Sequence, residues 1–540
     1  MTQEIEAAGG LTVWGAGAVP GSGDLRATMV ADAVPRRLAA KDFTLWGPDA
    51  EAEAKIRLGW VDTARRSRAL LPRLAELTAE LADLDHVVLA GMGGSSLAPE
   101  VITRALGRPL TVLDTTDPHQ VRAAIGDRLE RTVVVVASKS GGTIETDSQR
   151  RAYWQAFLDA GMTEAEAARH FVVVTDPGTA LEATAREHGM VVILADPDVG
   201  GRYSALTAFG LVPSALAGVD VAELLDQADS FATSLAGDAD NPALALGVAL
   251  GAAARQGRDK VAVVDDGTGI GIGDWIEQLI AESTGKLGRG ILPVVVETPD
   301  SPGATGEDVL TITTGGALAT GAVPGGGIRP HVAVNGPLGA QFLAWEAATA
   351  IAGRALGINP FDQPNVTESK ENTSAILGQG LPAESPSAVD GAVDLYGTTA
   401  TTVGEALADL VRDLSDQGYL AIMAYLDRWS DAAAAQLRPL LASATGRPVT
   451  FGWGPRFLHS TGQYHKGGPQ HGSFLQITGV VTDDLAVPGR PYTFGALQAA
   501  QAAGDRIALT DRGRPVLRLH LTNRTEGLAQ VLEAARGLTA

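Results

Sequence analysis

Short apolar runs alternate with helical segments along most of this chain, and that alternation constrains the fold more than any other feature. Runs at 86–92 (HVVLAGM), 110–114, 132–137 (TVVVVA), 171–175 and 191–195 are separated by stretches of helical spacing such as 148–160 and 179–187. A strand apolar at every position is buried on both faces, and strands alternating with helices build a parallel sheet covered on each side. A second block repeats the style, with runs at 260–265, 291–297 and 309–313 and helices at 272–283 and 338–356. The expected fold class is therefore α/β, with two similar parallel-sheet domains at 84–216 and 259–381. An N-terminal helical cap at 1–83 precedes them, and helices at 217–258 connect them. A Pro-, Ser- and Gly-rich linker at 382–402 leads to a third, smaller α/β domain at 403–540. A length of 540 residues suits this, at about 100–200 residues per domain.

Charge narrows the partners. With 42 basic and 63 acidic side chains the net charge is −21, so nucleic acid and anionic membrane are not expected partners. A phosphate-bearing ligand must be gripped by a local site. No apolar run reaches about 18 residues, so no membrane span is expected. MTQEIEAAGG has neither a basic nor an apolar leader region, and a cytoplasmic location is expected. Cys is absent, which excludes disulfides, zinc–thiolate sites and thiol nucleophiles. Lysine occurs at only seven positions, which makes each a candidate chemical group.

Six segments carry chemistry. At 91–99 (GMGGSSLAP) and 138–143 (SKSGGT) a strand feeds a Gly- and hydroxyl-rich turn and then a helix. Such turns bring backbone N–H groups to an anion, and Lys139 adds a cation. The Walker pattern is absent, which favours a phosphomonoester over a nucleoside triphosphate. At 199–204 (VGGRYS) a Gly pair lets the chain aim Arg202 inward, where a guanidinium can stabilise an oxyanion. At 277–286 (EQLIAESTGK) Gln278 and Glu282 share one helix face, with Gly285 placed to cap. The fifth is 361–370 (FDQPNVTESK) and the sixth is 457–468 (FLHSTGQYHKGG). The spacing of His459, His465 and His471 fits no metal-ligand pattern, so no metal is expected. Taken singly, each segment also fits an ordinary turn, cap or polar loop.

Together, and in this order, the segments resemble the phosphoglucose isomerase family over about 84–380, with a further match at HSTGQ. The resemblance implies two sugar-phosphate-binding α/β domains and interconversion of glucose 6-phosphate and fructose 6-phosphate through a cis-enediolate, in glycolysis and gluconeogenesis. It implies that Gly94, Ser95, Ser138, Lys139, Ser140 and Thr143 hold the phosphate, with Gln363 nearby on that side. It implies that Glu282 moves the proton, Arg202 stabilises the enediolate, Gln278 orients the base, and Lys370 and His459 assist ring opening. No metal or organic cofactor is implied. A homodimer is usual in the family; a monomer stays open, as do dual glucose/mannose 6-phosphate specificity and a non-catalytic sugar-phosphate regulator. Some relatives are joined to a transaldolase barrel of about 200 residues or more, but here the first such strand begins near His86 and the isomerase alone is expected.

Two departures stand out. Asn365 and Thr367 occupy positions where the family has Gly and Glu. The L-H-S-x-G-Q segment, which the family places between E-S-x-G-K and F-D-Q, falls here after Lys370, in the third domain. His331 of RPHVAVN lies in the usual interval without the flanking signature, and His459 is preferred. In the family this histidine arrives from a neighbouring subunit; here the third domain is expected to fold back and deliver it, in cis or in trans.

Overall fold

The computed structural model describes residues 5–319 and 330–539. Three parallel-dominated sheets form a mixed α/β architecture. The first has the order Thr111–Leu113, His86–Gly91, Thr132–Ala137, Phe171–Thr175, Val191–Leu194, all parallel. Its central strand, TVVVVA, is buried at every position, as a β-branched run between two helical layers should be. The chain leaves His86–Gly91 for the edge strand Thr111–Leu113 and returns to Thr132–Ala137 on the other side. Strand order therefore reverses between the turns at 92–96 and 138–143, and such reversals create a crevice outside the carboxyl ends of a parallel sheet.

The second sheet runs Ile5–Ala8, Leu11–Trp14, Val332–Asn335, Val309–Gly315, Lys260–Asp265, Leu292–Val296. Its last four strands are parallel, and its first two form an antiparallel hairpin. The first segment is thus not purely helical. A Gly9-Gly10 loop joins the hairpin, and Leu11–Trp14 pairs with Val332–Asn335, far along the chain.

The third sheet runs Ala388–Asp390, Val393–Tyr396, Val516–Leu521, Gly472–Gly479, Tyr419–Tyr425, Val449–Trp453. Its first two strands lie in the segment read as a linker. They are joined by the two-residue turn Gly391-Ala392, with Gly391 at φ 59°, the left-handed conformation that glycine supplies at the first position of a II′ hairpin turn.

The third unit is locked onto the other two. Arg428 reaches Glu100 at 2.6 Å and Asp114 at 3.4 Å, and Arg456 reaches the same two carboxylates at 2.6 and 3.2 Å. Two guanidinium groups thus share the buried Asp114 and the partly buried Glu100. Removing one member would leave two like charges sharing a single opposite partner, which destabilises the contact. A shared apolar cluster joins Ala262, Val264, Leu292 and Val294 of the second sheet to Tyr419, Phe457, Tyr464 and Phe474 of the third unit. Among the described residues no helix is long and apolar enough to cross a membrane.

Candidate active site

The helix Gly273–Thr284 follows the strand Lys260–Asp265 and carries Gln278 and Glu282 on one buried face. Glu282 Oε1 lies 3.2 Å from Arg202 Nη1, and Glu282 Oε2 accepts from Gln278 Nε2 at 3.1 Å. One carboxylate is thereby held between a cation and an amide.

Arg202 is immobilised by everything around it. Its Nε donates to Ser283 Oγ at 2.8 Å, its Nη1 to Gln363 Oε1 at 2.7 Å, and its Nη2 to the carbonyls of Pro360 and Asp362 at 2.7 and 3.0 Å. A planar fork satisfied on all sides presents its charge in one orientation. Lys286 holds the same loop from beneath, donating to Asn359 O at 2.6 Å and to Asp362 O and Oδ1 at 2.5 and 2.6 Å. Burial, with the neighbouring Arg202 charge, pushes the Lys286 ammonium down to about 7.

The turns of the first sheet meet this helix. A Cβ on Gly94 would lie 2.0 Å from Gly201 O, so only glycine lets the 92–96 turn touch the segment that carries Arg202. Ser95 is buried beside it, and Ser138 Oγ and Thr143 Oγ1 sit 2.9 Å apart ahead of the helix Ile144–Asp159. Ser140 Oγ accepts from Gly142 N at 3.3 Å. Two residues expected at the phosphate are engaged by protein partners. The Lys139 ammonium turns to Asp176 at 2.6 Å and to the Asp196 and Pro197 carbonyls, because a half-buried ammonium seeks the nearest carboxylate. Gln363 Oε1 accepts from Arg202, the guanidinium that also faces Glu282.

His459 joins the same constellation within one chain. It ends the short helical turn Arg456–His459, which the Arg456 ion pairs hold against the first sheet. The carbonyl of His459 accepts from Gln278 Nε2 at 2.7 Å, and its ring Nε2 donates to Glu145 Oε1 at 2.8 Å. Gln501 Nε2 donates to the same carboxylate oxygen at 2.7 Å. Burial acts to raise the Glu145 carboxyl, but the charge and hydrogen bond of His459, with Lys370 adding, leave it below its ordinary value. Glu145 therefore faces the ring as a carboxylate. Lys370, on the helix Val366–Gln379, is exposed and lines a cavity of about 120 Å³ together with Thr143, Glu145 and His459.

His331 is placed otherwise: it is exposed, and its Nδ1 accepts from Thr311 N at 3.0 Å within the second sheet. His465 is buried with its Nδ1 3.0 Å from Tyr419 Oη. The departure at Asn365 has a structural reason. Asn365 Oδ1 accepts from Gln463 Nε2 at 2.8 Å, Asn365 N donates to Gln463 Oε1 at 2.9 Å, and Gln463 Nε2 also reaches Gly285 O at 2.9 Å. A glycine could not make the side-chain bond, so the substitution ties the F-D-Q loop to the displaced H-S-T-G-Q segment. Sequence reading missed Glu145 and Gln501. The available signal for Glu145 was a carboxylate in the first turn of the helix behind the hydroxyl-rich loop.

These elements define a cleft between two parallel-sheet units, closed by a third, that holds one carboxylate, one guanidinium and a His–Glu pair. Comparison with known proteins agrees with that class. Residues 78–253 match the phosphoglucose isomerase family. The glucose-6-phosphate isomerase of Rubrobacter xylanophilus is 32% identical over 367 residues, covering 55% of this chain and 83% of that protein. The probable glucose-6-phosphate isomerase of Haloarcula marismortui is 37% identical over 227 residues, 40% of this chain and 51% of that protein. The matched region thus spans only about half the length of the Haloarcula protein, and 40% of the similarly identical Thermosynechococcus vestitus enzyme. A crystal structure of a hypothetical protein from Thermus thermophilus superposes with a TM-score of 0.57 at 23% identity, covering 70% of this chain and all of that one. That of a glucose-6-phosphate isomerase from Chlamydia trachomatis gives 0.53 at 19%, covering 70% and 90%. At those identities the likeness is one of fold. The chain belongs to the phosphoglucose isomerase family.

Proposed function

We propose that this chain interconverts glucose 6-phosphate and fructose 6-phosphate, a step of glycolysis and gluconeogenesis. The observation that carries the reading is the Glu282 carboxylate held between Arg202 and Gln278, with Gln278 also gripping the backbone of His459. The phosphate sits on Ser95, Ser138, Ser140 and Thr143 and on the N–H groups that open the helix Ile144–Asp159. Lys370 and His459, the latter fixed by Glu145, pass protons at the ring oxygen and O1 hydroxyl to open the sugar. Glu282 then takes the C2 proton of the open aldose. The electron pair becomes the C1–C2 double bond of a cis-enediolate, and the negative charge falls on O1, near Arg202. The C2 hydroxyl proton passes to O1, the C2–O2 bond becomes the ketone carbonyl as the C1–C2 double bond opens, and Glu282 returns its proton to C1.

A carboxylate base that holds the proton between two carbons exposes it to solvent exchange. Turnover of glucose 6-phosphate in D2O is expected to place deuterium at C1 of the fructose 6-phosphate formed, read by NMR. Conversion with no solvent deuterium at C1 under any condition would point to hydride migration and sink the enediolate. No conversion of either sugar phosphate would sink the reading altogether.

A further inference from the structure

A cavity of about 260 Å³ lies in the third unit, apart from the Glu282 cleft. It lies between the helix Phe494–Thr510 and one face of the third sheet. Arg518 and His520 line it from the strand Val516–Leu521, whose burial alternates along its length. A parallel strand covered on both faces is normally apolar throughout. VLRLHL instead points a polar face at the cavity.

Topology favours a ligand here. The chain leaves Tyr419–Tyr425 for the edge strand Val449–Trp453 and returns to Gly472–Gly479 on the other side. Strand order reverses between Tyr425 and Thr478, and both residues line the cavity. The crevice at such a reversal is where parallel sheets bind their ligands.

Charge gives the ligand class. Arg506 Nη2 and Arg518 Nη2 converge on a single oxygen, Glu384 Oε2, at 2.8 and 3.2 Å. The Nε atoms of both arginines are buried and have no hydrogen-bond partner among the described residues. The Arg518 guanidinium lies over the Tyr396 ring, 3.6 Å from its centroid, which fixes its plane. Among the described residues Glu384 is the one acidic side chain that lines the cavity, so two fixed cations face one carboxylate in a chain of net charge −21. Two guanidinium groups that converge on one carboxylate oxygen suit an oxyanion. Leu381, Pro382, Val481, Ala499, Ala502 and Ala503 give the wall an apolar part.

We propose that this cavity is a second ligand site, which takes a small organic oxyanion, a phosphate monoester or a carboxylate with an apolar body, on Arg506 and Arg518. Glu384 occupies the place of that anion and is displaced by it.

The test is calorimetric titration of the full-length protein with phenyl phosphate, with benzoate, and with benzyl alcohol as the uncharged control. Whichever anion binds names the head group. Glu384→Gln removes the internal competitor and is expected to bind that anion about tenfold more tightly, the equivalent of one charge-assisted hydrogen bond. Arg506→Met and Arg518→Met are expected to weaken it at least about tenfold, while Ser138→Ala leaves it unchanged. The Glu384→Gln gain does not depend on the arginine variants remaining folded. The proposal is overturned if neither anion binds Glu384→Gln, if wild type and Glu384→Gln bind alike, or if benzyl alcohol binds as tightly as the anions. Binding that Ser138→Ala abolishes and Arg506→Met spares would place the probe in the sugar-phosphate cleft and overturn it too. That last arm keeps failure here separate from failure of the isomerase reading.

Discussion

Glu282→Gln is expected to lower turnover of fructose 6-phosphate in a coupled assay by about 10²–10⁴-fold, the usual span for a general base. The substitution is close to isosteric, so the fold should survive it. Gln278 loses a carboxylate acceptor but keeps the His459 carbonyl, and Arg202 keeps Ser283, Gln363, Pro360 O and Asp362 O. The phosphate cradle around Ser138 and Thr143 does not touch Glu282. The loss should therefore fall on kcat, with KM changed little. Turnover within tenfold of wild type would remove Glu282 from the base role.

Cutting the chain after Gly380 is expected to abolish turnover. The cut removes His459, which bonds Glu145 and Gln278, and Gln501, which bonds Glu145. It also uncovers the second sheet, because Tyr419, Phe457, Tyr464 and Phe474 share an apolar cluster with Ala262, Val264 and Leu292. Each such aromatic contributes about 1.5–3 kcal/mol by burial, so a lower Tm should accompany the loss. The point variant His459→Ala separates chemistry from folding. It should slow reaction of the cyclic sugar more than that of an open-chain analogue. Equal losses on both substrates, or a truncated chain with wild-type turnover, would contradict the role given to the third unit.

The sheets were readable where burial makes every residue of a strand apolar, as in TVVVVA at 132–137. They were not readable where sheet membership depends on a distant partner. Ile5–Ala8 and Leu11–Trp14 are four-residue strands of mixed character, and their place is decided by Val332–Asn335. The hairpin at Ala388–Tyr396 was hidden among Pro and Ser, with only Gly391 to mark its turn. The site follows the same division. Motif spacing singled out Glu282, Gln278 and Arg202, two on one helix face and the third after a Gly pair, and the structure brings the three into contact. It gave no sign of the partners that Lys139 and Gln363 take, since Asp176 and Arg202 lie 37 and 161 residues from them and no local pattern announces such partners. Glu145 escaped for the same reason, its ring partner being 314 residues away.

That long separation carries the central claim: one chain completes its own site. Mixing Glu282→Gln with His459→Ala chains, with unfolding and refolding to exchange any subunits, tests it directly. If each chain supplies both groups to one site, every site in the mixture carries a defect, and activity stays at the level of the single variants. If the histidine crosses between the subunits of a dimer, half the dimers are mixed and each has one intact site, so about a quarter of wild-type activity returns. No recovery is the expected result; recovery to about a quarter would contradict the account.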